Sequence, residues 1–314
     1  MRTVLEYVVP VALWSSGGFI AAILVYALGS FLLMRPYATA RTLGVSVRSI
    51  LRETVLAALT QPFLLLHYVI GHRMEPLFIR RVPRTNVPVI LVHGYMQNRV
   101  GFLGLARALA QRGIGPLYGI NYPWFASIPS NAKRLERFVE RVRAESKAPV
   151  VDLVCHSMGG LVATEMLSTS KEPATVRRLV TIATPHAGIA WRGPLIGIGA
   201  ANLRRGSKLL ETYAGYKLAI PTLSIFSSHD NVVYPKETSQ LAKRGGRDVE
   251  VEGFGHLSIL FAPAVAEYVA SFLSEPDQPP VIVPPAKERD DTGDVPGKLE
   301  IDDGEPERAG AGNA

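Results

Sequence analysis

A single cysteine, Cys155, is all that the 314 residues supply, so an intramolecular disulfide framework and any multi-cysteine zinc or iron–sulfur site are excluded. Charge is sparse as well, at 19% of residues against 47% hydrophobic, which rules out a disordered or collagen-like chain. No repeat with a period of about 20 to 50 residues is visible, so a solenoid is not expected. The basic residues form no block interleaved with aromatics and accompany no recognised binding motif, and the net charge of +7 is therefore not read as a nucleic-acid footprint. The longest absence of charge lies at the N-terminus, where no Asp, Glu, Lys or Arg occurs between Glu6 and Arg35.

That uncharged run has a consequence for topology. At about 1.5 Å per residue, Tyr7 to Met34 is long enough to cross a ~30 Å hydrocarbon core and predicts a transmembrane helix. A cleaved signal peptide is the rival reading, because Ala38 and Ala40 form an A-x-A site. Its usual apolar region is shorter, about 7 to 15 residues. A second apolar stretch, Val55 to Gly71, is interrupted by Gln61, Pro62 and His67 and fits an interfacial helix as well as a second crossing. One crossing would leave Arg35, Arg41, Arg48 and Arg52 on the cytoplasmic side together with the remaining chain; two would reverse that side.

The charge divides the chain further. Residues 1–85 carry a net +6, residues 86–274 a net +8 and residues 275–314 a net −7. The first region is expected to anchor the protein to a membrane. The last, rich in Pro, Asp, Glu and Gly, has too little apolar surface to offset the entropy of ordering and is expected to be disordered.

Between them, short apolar runs alternate with helical patterns. Val87 to Val92, Leu117 to Tyr122, Val150 to Cys155, Val176 to Ala183, Thr222 to Ser227 and Val249 to Glu252 are strand candidates. Phe102 to Arg112, Asn131 to Ser146, Gly159 to Ser168 and Lys236 to Arg244 are helix candidates. This rhythm implies right-handed βαβ crossovers and an α/β fold with a mainly parallel sheet of about six strands.

The most informative string is V-D-L-V-C-H-S-M-G-G-L-V-A, residues 151–163, in which an apolar strand runs into Ser157 and a Gly-Gly pair opens a helix. A strand–turn–helix of this kind holds a serine hydroxyl clear of the sheet as a nucleophile. A hydroxyl needs a base and the base an orienting acid, and downstream Asp230 follows one strand candidate while His256 follows the last. The sequence resembles the α/β-hydrolase superfamily in these motifs, in H-G-Y at residues 93–95 and in T-P-H-A-G at residues 184–188. It is similar to bacterial triacylglycerol lipases and esterases over residues 86–274, with Cys155 standing where the first glycine of G-x-S-x-G is usual. The resemblance implies a Ser157, His256, Asp230 triad and an oxyanion hole from the backbone N–H groups of Tyr95 and Met158.

Other residues carry plainer readings. His93 is expected to brace the turn beside the oxyanion hole, His156 and His186 to border the site, and Cys155 to be a small buried hydrophobe. His67 and His72 do not share a helix face, so no metal site is read. The stretch near residues 188–216, with Trp191, Leu195 and Ile196, is expected to form either a cap that binds acyl chains or an extra packed helix.

The expectation is a membrane-anchored carboxylesterase or lipase, on a bacterial inner membrane by its resemblance, acting on a lipid or other apolar acyl ester without metal or organic cofactor. Its partners are the ester and membrane lipid, with no nucleic acid. Alternatives are a thioesterase, amidase or acyltransferase with the same triad, or a non-catalytic membrane scaffold that retains the fold.

Overall fold

Val89–Val92, with the pattern VILV, is buried on both faces, and this is the character of all the central strands. In the computed structural model, which describes residues 17–18, 21–37, 43–62, 64, 70–74, 85–170, 173–191 and 197–277, six strands form one sheet, its last strand being half-exposed. They are β1 (Val89–Val92), β2 (Leu117–Gly119), β3 (Val151–His156), β4 (Val176–Ile182), β5 (Thr222–Ser227) and β6 (Arg247–Val251). The order is β2-β1-β3-β4-β5-β6, and every pair is parallel. Parallel neighbours require crossovers, and helices supply them on both faces.

The two faces bury alternate side chains of the same strands. Val89, Leu91, Val154, Val180, Ile182, Leu223 and Ile225 pack under α3 (Leu103–Gln111) and α8 (Pro263–Leu273). Ile90, Val92, Leu153, Cys155 and Leu179 pack under α4 (Ile128–Ser146) and α5 (Met158–Thr169). α4 turns Ile128, Ala132, Leu135, Val139 and Val142 inward, begins on a Ser127 cap that accepts from Ser130 N–H, and ends where Lys147 adopts φ 54°. The sheet therefore places the carboxyl ends of β3, β5 and β6 along one edge, where open α/β sheets bind ligands.

One expected helix is absent. Lys236 to Arg244 forms two short 3-10 turns, Lys236–Ser239 and Ala242–Arg244, because Gln240 is extended and the Leu241 and Ala242 N–H groups donate to the Asp248 carboxylate at 2.7 and 3.1 Å. Those donors are thereby withdrawn from any intrahelical ladder.

The N-terminal region also departs from expectation. Residues 1–281 form one compact unit and residues 282–314 a second, the latter outside the described residues. Among the described residues no helix is long and apolar enough to cross a membrane. Of the run read as a span, residues 7–16 and 19–20 lie outside the described residues, as do Ala38 and Ala40. Residues 21–34 form helix α1, which buries Ile23, Ala27, Phe31 and Met34. Ile23 joins the core beneath α3 and α8, and Phe31 and Met34 pack with Tyr234. Of the second apolar stretch, residues 55–60 are the last turns of α2, which runs Leu43–Thr60 and carries Arg48, Arg52 and Glu53, and residues 63 and 65–69 lie outside the described residues. Helices α1 and α2 are thus packed parts of the sheet-bearing unit. The tail from residue 278 onward is outside the described residues.

Candidate active site

β3 ends at His156, and Ser157 then takes φ 52° and ψ −126°, a conformation that a side-chain-bearing residue holds only when its surroundings impose it. Those surroundings are tight. A Cβ on Gly159 would strike the carbonyl oxygens of Val92 and His93, a Cβ on Gly160 would strike Thr184, and one on Gly94 would lie 2.8 Å from Ser157 Cβ. The two glycines after Ser157 let α5 start against the end of β1, and Gly94 lets the following turn lie on the serine. Cys155 sits within β3, fully buried, where burial pushes its thiol up and leaves it an apolar filler.

Three side chains converge at the carboxyl edge. His256 Nε2 is 2.9 Å from Ser157 Oγ, and His256 Nδ1 is 2.9 Å from Asp230 Oδ2. Asp230 is held by its other oxygen, which accepts the Val232 and Val233 N–H groups at 2.8 Å each. Asp230 is 3% and Ser157 7% exposed, so both work in a largely desolvated setting. Burial pulls the His256 imidazole down, but the charge and hydrogen bond of Asp230, joined by the charge of Glu53, outweigh it and raise the imidazole above its ordinary range. With Asp230 accepting from Nδ1–H, Nε2 is left free to accept the serine proton.

The other histidines are structural partners. His93 donates from Nδ1 to the Gly94 carbonyl at 2.9 Å and accepts the Tyr122 N–H on Nε2 at 3.2 Å, with its ring stacked on that tyrosine. It thereby fixes the turn that leads into Tyr95, whose ring meets Trp124 edge-on. His156 donates from Nε2 to the His256 carbonyl at 2.9 Å, and burial, with the charge of His256 next, drives its own pKa down to about 3. It stays neutral beside the site. His186 pairs with Thr181 Oγ1 at 3.2 Å behind the elbow. Met158 opens α5, so its N–H belongs to the unpaired first turn of that helix.

The stretch near 188–216 is only partly described, with Leu195 and Ile196 outside the described residues. Its described part includes α6 (Ile198–Ala201) and α7 (Lys208–Ala214), and it sends Leu203, Leu210 and Tyr213 into the core with Trp191 packed beside them. Ile198 remains 72% exposed. A small pocket lined by Met34, Tyr37, Asp230, Tyr234 and Lys236 adjoins the acid but not Ser157, so an acyl carbon would not sit there. Among the described residues no group of three or more His, Cys, Asp or Glu side chains converges as a metal site requires.

One residue at the site escapes sequence reasoning. Glu53 of α2 is fully buried and accepts the N–H groups of Leu257 and Ser258, the two residues after His256, at 2.8 Å each. A lone acid in an Arg-bearing helix two hundred residues upstream carries no motif; its one visible signal is the scarcity of acids in residues 1–85, which hold three.

The sequence pattern of the Alpha/beta hydrolase family matches residues 89–296. The chain belongs to this α/β-hydrolase family. Its fold is similar to that of lipase B from Aspergillus fumigatus, at 15% identity and a TM-score of 0.61, over 85% of this chain and 82% of that one. It is also similar to the mature lipase BlEst2 from Bacillus licheniformis, at 15% identity and a TM-score of 0.52, over 62% of this chain and 94% of that one. At these identities the likeness is one of fold. Family and fold together support a hydrolase, and in this chain Ser157 lies at the turn between β3 and α5.

Proposed function

We propose that the protein is a serine hydrolase of carboxylic esters with an apolar acyl group, working through an acyl-enzyme. The observation that carries this reading is the continuous chain from Ser157 Oγ through His256 to Asp230, both links at 2.9 Å, with the serine held at φ 52°. In the proposed cycle Ser157 Oγ attacks the ester carbonyl carbon while its proton passes to His256 Nε2. Asp230 stabilises the imidazolium and keeps it oriented. The carbonyl oxygen becomes an oxyanion received by the N–H groups of Tyr95 and Met158, a site in which one donor is worth about 3 kcal/mol of barrier. Collapse expels the alcohol, which takes the proton back from Nε2, and water then repeats the sequence to release the acid.

Ser157→Ala tests it directly. The variant is expected to melt like the parent, to lose p-nitrophenyl ester hydrolysis and to lose labelling by a fluorophosphonate probe. Undiminished hydrolysis would overturn the assignment. Failure of the parent itself to label would favour the scaffold reading instead.

A lipid-proximal setting is part of the same proposal. Leu24, Val25, Leu28, Leu32 and Leu33 on α1, and Val47, Leu51, Val55 and Leu59 on α2, are exposed. Apolar outer faces flanked by exposed Arg35 and Arg48 are the make-up of helices that lie in a membrane interface rather than cross it. The region near 188–216, with Trp191, Leu195 and Ile196, is proposed to border the acyl pocket. Hydrolysis of acyl esters of graded chain length, with and without vesicles, measures both.

A further inference from the structure

The turn that carries His256 is held from outside the sheet at every residue but one. Arg52 of α2 donates to the Gly253 carbonyl and lays its guanidinium 4.2 Å over the Phe254 ring. Asn231, itself held by Ser30 of α1 at 2.7 Å, accepts the His256 N–H at 2.8 Å. Glu53 then takes the next two N–H groups, Leu257 on Oε1 and Ser258 on Oε2. Gly255 completes the fit: a Cβ there would lie 2.6 Å from Glu53 Oε2 and 2.7 Å from Asn231 Oδ1, so the two acceptors can close on the turn only because residue 255 has no side chain.

A fully buried carboxylate is costly to keep, and no Lys or Arg ion-pairs with Glu53 among the described residues. What it has is two short charge-assisted hydrogen bonds, one to each oxygen, and a histidine immediately behind them. We propose that Glu53 is a positioning residue for His256, clamping the backbone that follows the base and supplying a second negative charge, beside Asp230, for the imidazolium formed as Ser157 attacks. The inference rests on the serine-hydrolase reading above.

The titratable groups around the imidazole come from four elements. Asp230 follows β5, His156 ends β3, Glu53 lies on α2, and Tyr26 of α1 adjoins Glu53 and Asp230. His156 is neutral, and Arg52 is directed to Gly253 and Phe254 rather than to the imidazole. Burial raises Glu53 on balance, and the Leu257 and Ser258 N–H groups, the Ser258 hydroxyl and then the charge of His256 oppose that rise. The base and this acid therefore favour each other's charged forms. Loss of the Glu53 charge lowers the pKa of His256, and an unprotonated base then survives to lower pH.

The test uses the full chain and a short, soluble p-nitrophenyl ester, with kcat and KM followed against pH for the parent and Glu53→Gln. The expected result is a kcat lower by about tenfold to hundredfold, the range a displaced catalytic group produces. KM should stay within about twofold, and the acid limb of kcat/KM should move to lower pH. A folded Glu53→Gln whose acid limb does not move overturns the proposal, whatever its kcat. If that variant has no cooperative melting transition, Glu53→Asp carries the test, since it keeps the charge and draws the carboxylate back. A several-fold fall in kcat at constant KM upholds the clamp, and parental kcat overturns it. Fluorophosphonate labelling of the parent at Ser157 separates the two layers: no labelling removes the hydrolase reading, whereas labelling with an unmoved limb removes only the role of Glu53.

Discussion

The sheet-bearing region and the two N-terminal helices are built from similar apolar residues, yet they owe their structure to different things. In the sheet, burial follows a local period: Val89 and Leu91 face one layer of helices, Ile90 and Val92 the other. In α1 the composition is apolar all round, and only contact with the rest of the molecule decides that Ile23, Ala27, Phe31 and Met34 face inward while Val25 and Leu32 face out. The sheet region supplies Ser157, His256 and Asp230, and the helices supply Arg52 and Glu53, which hold the His256 turn, and Ser30, which holds Asn231. An apolar run is thus poor evidence for a membrane span until its polar neighbours have been placed, and here Ser30 and Glu53 are placed on the active-site loop.

The largest expected effect lies in the sheet region. Asp230→Asn should cut kcat on the order of ten-thousand-fold, the size that loss of the orienting carboxylate has in a serine-protease triad. It should also shift the acid limb of kcat/KM downward, because Asp230 is the main group holding the His256 imidazole above its ordinary range. In the parent that limb should lie above the ordinary histidine value of about 6.5. A pH–rate profile decides it: a parental limb below that value, or one unmoved by the substitution, would break the assignment of His256 as base.

The next effect tests the helices. Phe31→Ala removes a side chain that is 7% exposed and packed on Met34 and Tyr234, and should cost about 3 kcal/mol of stability or more. Urea unfolding at fixed m-value measures it. A stability unchanged by this substitution would mean that α1 is not docked on the hydrolase unit. Asn231→Ala should be milder in stability, about 1 to 3 kcal/mol, because it leaves the half-buried His256 N–H without its acceptor. Activity should fall with it, since that N–H belongs to the base itself.

What was legible in the sequence follows from how local each determinant is. The elbow can be read from residues 151–160, because strand, serine and two glycines are contiguous. Asp230 and His256 were approachable since each follows a strand-like run, and the sheet brings such ends to one edge. The helix read over Lys236 to Arg244 failed because Asp248, beyond the window, takes the Leu241 and Ala242 N–H groups. Glu53 was invisible for the same reason at greater range: its partners are backbone groups 204 and 205 residues away, and backbone groups carry no sequence signal. The span read over Tyr7 to Met34 rested on length and hydropathy alone, and neither quantity registers the inward stripe of α1.

The smallest effect on the fold concerns the outer face of α2, where Val47, Leu51, Val55 and Leu59 recur every fourth residue and are each between 45% and 62% exposed. Since they are solvent-facing, Leu51→Gln with Leu59→Gln should change stability by no more than about 0.5 kcal/mol per site. Turnover of a soluble short-chain ester should stay at the parental level. Affinity for vesicles containing anionic lipid is where the change should appear, because each Leu that leaves water on docking contributes about 1.5 to 3 kcal/mol when fully buried. Co-sedimentation with such vesicles gives the result, and equal sedimentation of parent and double variant would detach α2 from any lipid surface. It would leave the helix with one function, that of carrying Arg52 and Glu53 to the loop that holds His256.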